Sequence, residues 1–588
     1  MKMTEENIKK SGVDATSSDM KAKRGVEIED YDFDLIESDL KKWPICHLAD
    51  QRKAFIEEVN QLTVNNLLRY SDEGVQELIA KTIYLEKIRM KKSTWKVDPP
   101  NEKLFWNRIE DKLTQIKGMP QEVAREKSRE LLYRVINRYT EEIVGDFKTN
   151  TFKFARKALT AFFKVLFNKF WEKYPFWGPK SRLLDKVKVT GFVPLVRKLM
   201  KKGTVVLVPT HSSNLDSIYL GYAIDFKAGL PFFCYGAGLN LYNSEFAAFY
   251  MNRMGAYRLD RRKKNAIYLE TLKTMSKRMT EMGVNNLFFP GGTRSRSGKI
   301  ESKLKLGLLG TMIEAQRSLI QNNSNKKVFV VPVITSYPFV LEARVLIDEY
   351  LRSEGKEKYF KRKFKQVKRF SKLTFFNHLF TKNQTTWVSF GRPLDVLGNI
   401  INEKGESVDE RGRVVDVKDY FTVGTLIKTN NQRESIYTKV LADSIVESYK
   451  ADNVVLPCHF SAFVAFKFLA KINDDKDIFD LFLLEERDTG LKWRPLVTYA
   501  EDMHEKFLEL CAEKKLKLTP AFNADTETLL LNGIEELGHY SVRKPLKYLA
   551  KSRKLCSEDV KLLFFYHNRL QVYERDLYPD RETSESEL

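Results

Sequence analysis

Cysteine is scarce and scattered in the 588-residue chain: Cys46, Cys234, Cys458, Cys511 and Cys556 form no Cys-x-x-Cys pair. The length excludes a disulfide-stapled miniature, and the scattered spacing offers no thiolate pair for a metal. Other metal-ligand patterns are missing as well. His504-Glu505 is followed by Leu508 where a zinc-protease helix needs its second histidine, while Cys46-His47 and Cys458-His459 are isolated neighbours. No metal and no cofactor is expected. Long apolar runs are absent too: the most apolar stretch, Phe152 to Trp171, carries Lys153, Arg156, Lys157, Lys164 and Lys169, so a conventional transmembrane helix is not expected. Met1-Lys2-Met3-Thr4-Glu5-Glu6 leads into no apolar signal region, which together with the sparse cysteines gives the expectation of a reducing, cytoplasmic setting. Gly236-Ala237-Gly238-Leu239-Asn240-Leu241 starts like a dinucleotide loop but lacks the third glycine. Zinc-finger spacing, the aromatic signature of an RNA-recognition sheet and a helix-turn-helix are all lacking, so no nucleic acid is expected as a partner.

What the chain does have is core-forming material and cations. Hydrophobic residues make up 43% and aromatics 12%, enough to bury several cores. Lys+Arg 100 against Asp+Glu 78 leaves +22, an excess suited to a phosphate substrate, an acidic carrier protein or an anionic membrane surface. Residues 1–30 are polar and read as a disordered N-terminus, and 578–588 as an acidic tail. Residues 31–145 repeat apolar positions at helical spacing (Val75, Leu78, Ile79, Ile83) and read as a helical N-terminal region. Residues 146–400 form the expected α/β unit with an amphipathic entry helix. Strands are expected at Thr204 to Pro209, Pro231 to Tyr235, Asn286 to Phe289, Val328 to Val333 and Trp387 to Phe390, with helices at Ala266 to Met282 and Leu304 to Leu319. Residues 401–422 read as a loop or linker and 423–577 as a helical C-terminal domain. The fold class is therefore α/β, a mixed central sheet flanked by helices, with helical regions at both ends.

Chemistry is concentrated in two places. Thr204-Val205-Val206-Leu207-Val208-Pro209 is a strand that delivers His211 into a polar turn, and Asp216 follows five residues later. On one continuous helix those two side chains lie about 140° apart and cannot meet, but across a strand-to-helix turn they can. A carboxylate on one imidazole nitrogen fixes the tautomer and raises the basicity of the other, which makes a general base. Phe289-Pro290-Gly291-Gly292-Thr293-Arg294-Ser295-Arg296-Ser297-Gly298-Lys299 also follows an apolar strand. Paired glycines admit backbone N–H groups to an oxyanion, and Arg294, Arg296 and Lys299 supply charge for a phosphate. Gly255-Ala256-Tyr257-Arg258-Leu259-Asp260-Arg261 lies between these two sites, and Val331-Pro332-Val333-Ile334 lies after them.

In these four ordered segments the sequence resembles the glycerolipid acyltransferase superfamily, and within it the glycerol-3-phosphate acyltransferases. That second likeness runs on through Tyr337 to Ala343, Val388-Ser389-Phe390-Gly391-Arg392-Pro393 and Leu562 to Leu570. The resemblance implies a catalytic pair, His211 and Asp216, and substrate-phosphate cations at Arg261, Arg294 and Arg296, with Lys305 as a further candidate. Gly291 and Gly292 are read as an oxyanion loop. Gly291 stands where many members carry glutamate, and Arg258 takes the usual aromatic place in the second segment. The implied reaction moves a fatty acyl group from acyl-CoA or acyl-carrier protein to the 1-hydroxyl of glycerol 3-phosphate in phospholipid biosynthesis. Acylation of 1-acylglycerol 3-phosphate is the alternative acceptor reaction, and a catalytically inert lipid-binding protein is the alternative of another class.

Phe152, Leu159, Phe163, Leu166 and Phe170 form an apolar stripe among cations, with Tyr174, Phe176 and Trp177 after it. Such a helix suits an anionic membrane surface, as does the basic segment Lys358 to Lys372, although a domain-packing helix has the same pattern. Peripheral association with a membrane is the expectation.

Overall fold

The computed structural model describes residues 25–579 apart from 69–71, 93–94, 96–97, 100, 155–186, 240–251, 357–384 and 539–542. Residues 1–24, nearly all of the expected entry helix, the basic segment Lys358 to Lys372 and all but the first two residues of the acidic tail lie outside the described residues.

Seven strands form the central sheet: β1 (Val187–Gly191), β2 (Gly203–Pro209), β3 (Cys234–Gly238), β4 (Ala256–Leu259), β5 (Asn286–Leu287), β6 (Lys327–Ser336) and β7 (Thr386–Phe390), in the order β1-β7-β6-β2-β5-β3-β4. Strands β6, β2, β5, β3 and β4 run parallel, so their carboxyl ends share one edge; β7 pairs antiparallel to β6, and β1 parallel to β7. The apolar run in β2 serves both faces. Val205 and Leu207 enter one core with Val189, Phe329 and Phe390, while Val206 and Val208 enter the opposite one with Phe288, Met312 and Val330. Alternation at period two thus turns a continuous hydrophobic segment into the centre of a sheet covered on both sides.

Against this sheet stand α1 (Arg52–Leu67), α2 (Asp72–Lys92), α3 (Glu102–Ile116) and α4 (Gln121–Ile143) on the N-terminal side, and then α5 (Asp216–Tyr222), α6 (Ala266–Glu281), α7 (Leu306–Gln321) and α8 (Ala343–Ser353). The N-terminal helices share a core with Tyr257 of β4 and with Ile267, Tyr268 and Met275 of α6. At its centre buried Arg89 pairs with Glu86 and Glu102, both at 2.6 Å. Of the C-terminal helices, α9 (Asn431–Ala451) packs through Leu441, Ile445 and Tyr449 into the sheet core of Val206, Val208 and Met312, while α10 (Pro457–Lys471), α11 (Trp493–Ala512), α12 (Thr526–Gly538) and α13 (Val560–His567) build another core around α10, into which α8 packs. Pro457 at the first helical position of α10 and the Asp559 carboxylate capping Leu562 N–H fix the starts of α10 and α13.

Several expectations need correction. The strand expected at Pro231 to Tyr235 begins at Cys234 instead, because Pro231 has no N–H and Phe233 packs into the core ahead of the ladder. Strands β1 and β4 were not anticipated. Residues 25–30, expected to be disordered, are tied to the fold: Val26 N–H donates to Asn523 Oδ1, and Asp30 accepts from Val189 N–H. The stretch expected to be a loop or linker holds a small antiparallel sheet, Ile400–Ile401, Ser407–Val408 and Val414–Val415, with Phe421 fully buried after it. No described helix is long and apolar enough to cross a membrane.

Candidate active site

The carboxyl ends of β2, β3, β4 and β5 open on one cleft of about 290 Å³, lined among others by His211, Asp260, Arg261, Phe289, Arg294 and Arg296. A parallel sheet presents such a crevice beyond its strand ends, where the chain leaves each strand and side chains are free to converge.

His211 follows β2, and Asp216 opens α5. The two meet with His211 Nδ1 to Asp216 Oδ2 at 2.7 Å. The intervening turn brings Ser212 N–H and Ser213 N–H to the same oxygen at 2.8 and 3.0 Å. Tyr337, immediately beyond β6, donates its hydroxyl to Asp216 Oδ1 at 2.6 Å. Four donors thus hold a carboxylate that is 1% exposed, whereas the imidazole keeps 19% exposure toward the cleft. Burial and the neighbouring Asp216 push the Tyr337 hydroxyl well above its ordinary pKa, so it stays a donor. The ring of His211 stacks on Phe289 with centroids 4.2 Å apart. With Nδ1 engaged, Nε2 is the nitrogen left for proton transfer.

The second segment sorts its cations by what surrounds them. Arg262 is bound by Asp260 and Asp98 and lies over Trp95 with its guanidinium carbon 4.5 Å from the ring centroid. Lys263 is buried against Glu142 at 2.6 Å. The N-cap of α6, Asn265, is held by Glu86 and Tyr139. Arg261 lines the cleft with no ion-pair or hydrogen-bond partner among the described residues, while Arg258 sits within the β4 ladder, away from the cleft.

In the third segment Arg294 and Arg296 face the cleft, but each already has a loose acidic partner at 3.5 Å: Glu342 for Arg294 and Glu349 for Arg296. Glu342 also accepts from Ser213 Oγ and Asn214 N–H. The C-terminal region grips this loop and the end of β6. Asn568 Nδ2 donates to Ser297 O, His459 Nε2 to Tyr337 O and Arg569 Nη2 to Thr335 O.

Four expected site residues are placed differently. Gly292 N–H is spent on Phe289 O at 3.0 Å, which withdraws it from the expected oxyanion loop, and neither Gly291 nor Gly292 lines the cleft. Lys305 donates its backbone N–H to Pro290 O and lays its side chain over Gly292 instead of facing the cleft. Lys299 lies away from the cleft as well, in a partly buried setting that lowers its pKa. Tyr337, Glu342 and Glu301, which accepts from His211 N–H at 2.7 Å, were assigned no role from the sequence. Each reaches the site from a strand end or loop distant in the chain from His211 and Asp216. Among the described residues no group of three or more His, Cys, Asp or Glu is arranged to hold a metal ion.

Residues 186–336, which contain the whole His211, Arg261 and Arg294 arrangement, match the model of the family described as Acyltransferase. The chain is 27% identical over 268 residues to a protein of Pseudomonas aeruginosa (strain LESB58) named glycerol-3-phosphate acyltransferase; the match covers 45% of this chain and 28% of that protein. A protein of the same name from Pseudomonas fluorescens (strain SBW25) is 30% identical over 222 residues, covering 38% of this chain and 23% of its own length. One from Alteromonas mediterranea is 26% identical over 258 residues, 44% of this chain and 27% of the relative. The chain thus spans about a quarter of the length of the curated relatives it matches.

Proposed function

The chain belongs to the acyltransferase family through residues 186–336, and from that premise we propose that it moves a fatty acyl group from an acyl thioester to the 1-hydroxyl of sn-glycerol 3-phosphate. His211 Nε2 takes the proton of the acceptor hydroxyl as its oxygen attacks the thioester carbonyl. The imidazolium so formed is stabilised by Asp216 through Nδ1–H. When the tetrahedral intermediate collapses, the carbon–sulfur bond breaks and the departing thiolate takes the proton from Nε2. The ester is released without an acyl-enzyme. Arg261 holds the acceptor phosphate, and Arg294 and Arg296 turn toward it from Glu342 and Glu349.

The observation that carries this reading is a carboxylate-held imidazole opening on the same cleft as Arg261, a guanidinium without a partner among the described residues. A base and an anion anchor in one crevice are what a phosphorylated alcohol needs to be acylated. An inert lipid-binding protein has no use for the bond from His211 to Asp216. The test incubates purified protein with glycerol 3-phosphate or 1-acylglycerol 3-phosphate, each with acyl-CoA or acyl-carrier protein, and resolves products by mass spectrometry. The reading expects lysophosphatidate from glycerol 3-phosphate. Ester formed only on the acylated acceptor replaces that substrate assignment, and no ester from any pair overturns the reading.

The proposal includes an anionic membrane surface as partner, because the product is amphiphilic and the chain carries +22. Vesicles containing anionic lipid are expected to sediment the protein at low salt and to release much of it as the Debye length shrinks below about 8 Å. Protein left in the supernatant at low salt contradicts this part.

A further inference from the structure

The cationic loop surrounds His211 on its backbone as well as on its ring. Ser295 N–H donates to His211 O at 2.7 Å, and Glu301 Oε1 accepts from His211 N–H at 2.7 Å. Both main-chain groups of the histidine are therefore held by one loop, one of them by a carboxylate. The second oxygen of that carboxylate, Oε2, is buried without a hydrogen-bond partner among the described residues. A buried carboxyl with one unpaired oxygen is costly, and it persists only where the surrounding structure over-determines its place.

Gly291 explains where the room comes from. Its backbone is not in the left-handed region, unlike that of Gly292 (φ 79°) and Gly298 (φ 85°), so no torsional requirement calls for glycine there. Space calls for it: a Cβ at 291 would lie 3.0 Å from Glu301 Cγ and 3.3 Å from Glu301 Oε1. The pocket beneath the histidine turn takes one side chain, from 291 or from 301, and here it takes Glu301.

We infer that Glu301 is a positioning residue for His211: its carboxylate, seated in the space left by the missing side chain at Gly291, holds the His211 N–H and fixes the turn that presents the imidazole to the cleft. Burial, with Asp216 nearby and against the pull of Arg569, brings the carboxyl up to about 7. The inference rests on His211 being the base.

The experiment is a relocation of the carboxylate. Glu301→Ala is expected to lower kcat by ten- to a hundredfold, the scale of a misplaced catalytic group, with the KM of acceptor and donor nearly unchanged because Arg261 and the loop cations are untouched. Glu301→Gln keeps an acceptor oxygen and should retain most of kcat. Gly291→Glu alone should be impaired, since two side chains then compete for one space. The double variant Gly291→Glu with Glu301→Ala should recover at least tenfold over Glu301→Ala, because the three bonds from a glutamate Cβ to its carboxylate oxygen span the gap to the vacated position. Circular dichroism confirms that each variant is folded, and should Glu301→Ala not fold, the double variant is compared with Gly291→Glu. Wild-type kcat in Glu301→Ala, or a folded double variant no better than either single change, overturns the inference. His211→Ala separates the two levels: if it is inactive while Glu301→Ala is fully active, only the role of Glu301 fails, whereas an active His211→Ala removes the base itself.

Discussion

At the residue scale the site depends on how completely Asp216 is held. Two backbone N–H groups and the Tyr337 hydroxyl leave the carboxylate no freedom to leave His211 Nδ1. His211→Ala is accordingly expected to lower turnover by about 10² to 10⁴, the usual contribution of a positioned base, in protein whose circular dichroism matches wild type. Tyr337→Phe removes one charge-assisted bond, commonly worth about 1.5–3 kcal/mol, and leaves three donors on Asp216. Its kcat should fall roughly tenfold with acceptor KM held, measured by steady-state kinetics; an unchanged kcat would mean that the backbone N–H groups alone suffice. The partners of the pair differ in how visible they are in the chain. His211 and Asp216 are five residues apart, and a strand-to-turn pattern brings them together on paper. Tyr337 reaches Asp216 across 121 residues and Glu301 reaches His211 across 90, so only the pairing of β6 with β2 and the path of the loop after β5 reveal them.

At the element scale, the strands that a period-two or continuous apolar run marks, such as β2, β6 and β7, were readable. Helices α6 and α7 were also readable from their apolar spacing. Strand β1 alternates only two valines with Lys188 and Thr190 before Gly191, and the short β4 carries Arg258, so neither repeats its pattern far enough to be recognised; both are strands because neighbours pair with them. The cationic loop is a similar case. Its charge is evident in the sequence, but its shape depends on Gly298, at φ 85°, whose missing side chain lets the backbone lie against Phe565 O at the end of the C-terminal helix α13. Gly298→Ala meets a carbonyl that cannot swing aside, and is expected to lower stability by about 1–3 kcal/mol and to raise acceptor KM as the loop lifts Arg294 and Arg296. Thermal unfolding and kinetics on the same preparation check both effects. Arg261→Ala, which loses no described partner, should leave the melting temperature unchanged and act on acceptor KM more than on kcat. If it raised the donor KM alone, the cleft cation would belong to the thioester.

At the scale of the whole molecule the two helical regions are continuous with the site. The N-terminal region engages Arg262, Lys263 and Asn265, while Arg261 has no partner among the described residues and lines the cleft. The C-terminal region holds Ser297, Thr335 and Tyr337 through Asn568, Arg569 and His459. Composition marked these regions as helical and no more, since such contacts join residues more than a hundred positions apart. The C-terminal core makes a pH-dependent contribution whose sign follows from its buried groups. At the start of α10, Glu536 accepts from Cys458 N–H, and burial raises its carboxyl from 4.5 to about 7. Next to it, burial and Arg569 lower the His459 imidazole from 6.5 to about 3. Between pH 4.5 and 7 the folded chain keeps a proton on Glu536 that the unfolded chain has lost. Wild type should therefore lose stability relative to Glu536→Gln as pH rises through that window, by about 1.4 kcal/mol per pH unit. Between about 3 and 6.5 the unfolded chain holds a proton on His459 that the folded chain excludes. Wild type should therefore gain on His459→Gln at a similar slope as pH rises, and where the windows overlap the two contributions oppose each other. Denaturant midpoints of the three proteins at closely spaced pH values measure both slopes. A Glu536→Gln curve parallel to wild type from pH 4.5 to 7 would mean that this carboxyl ionises in the core as readily as in water.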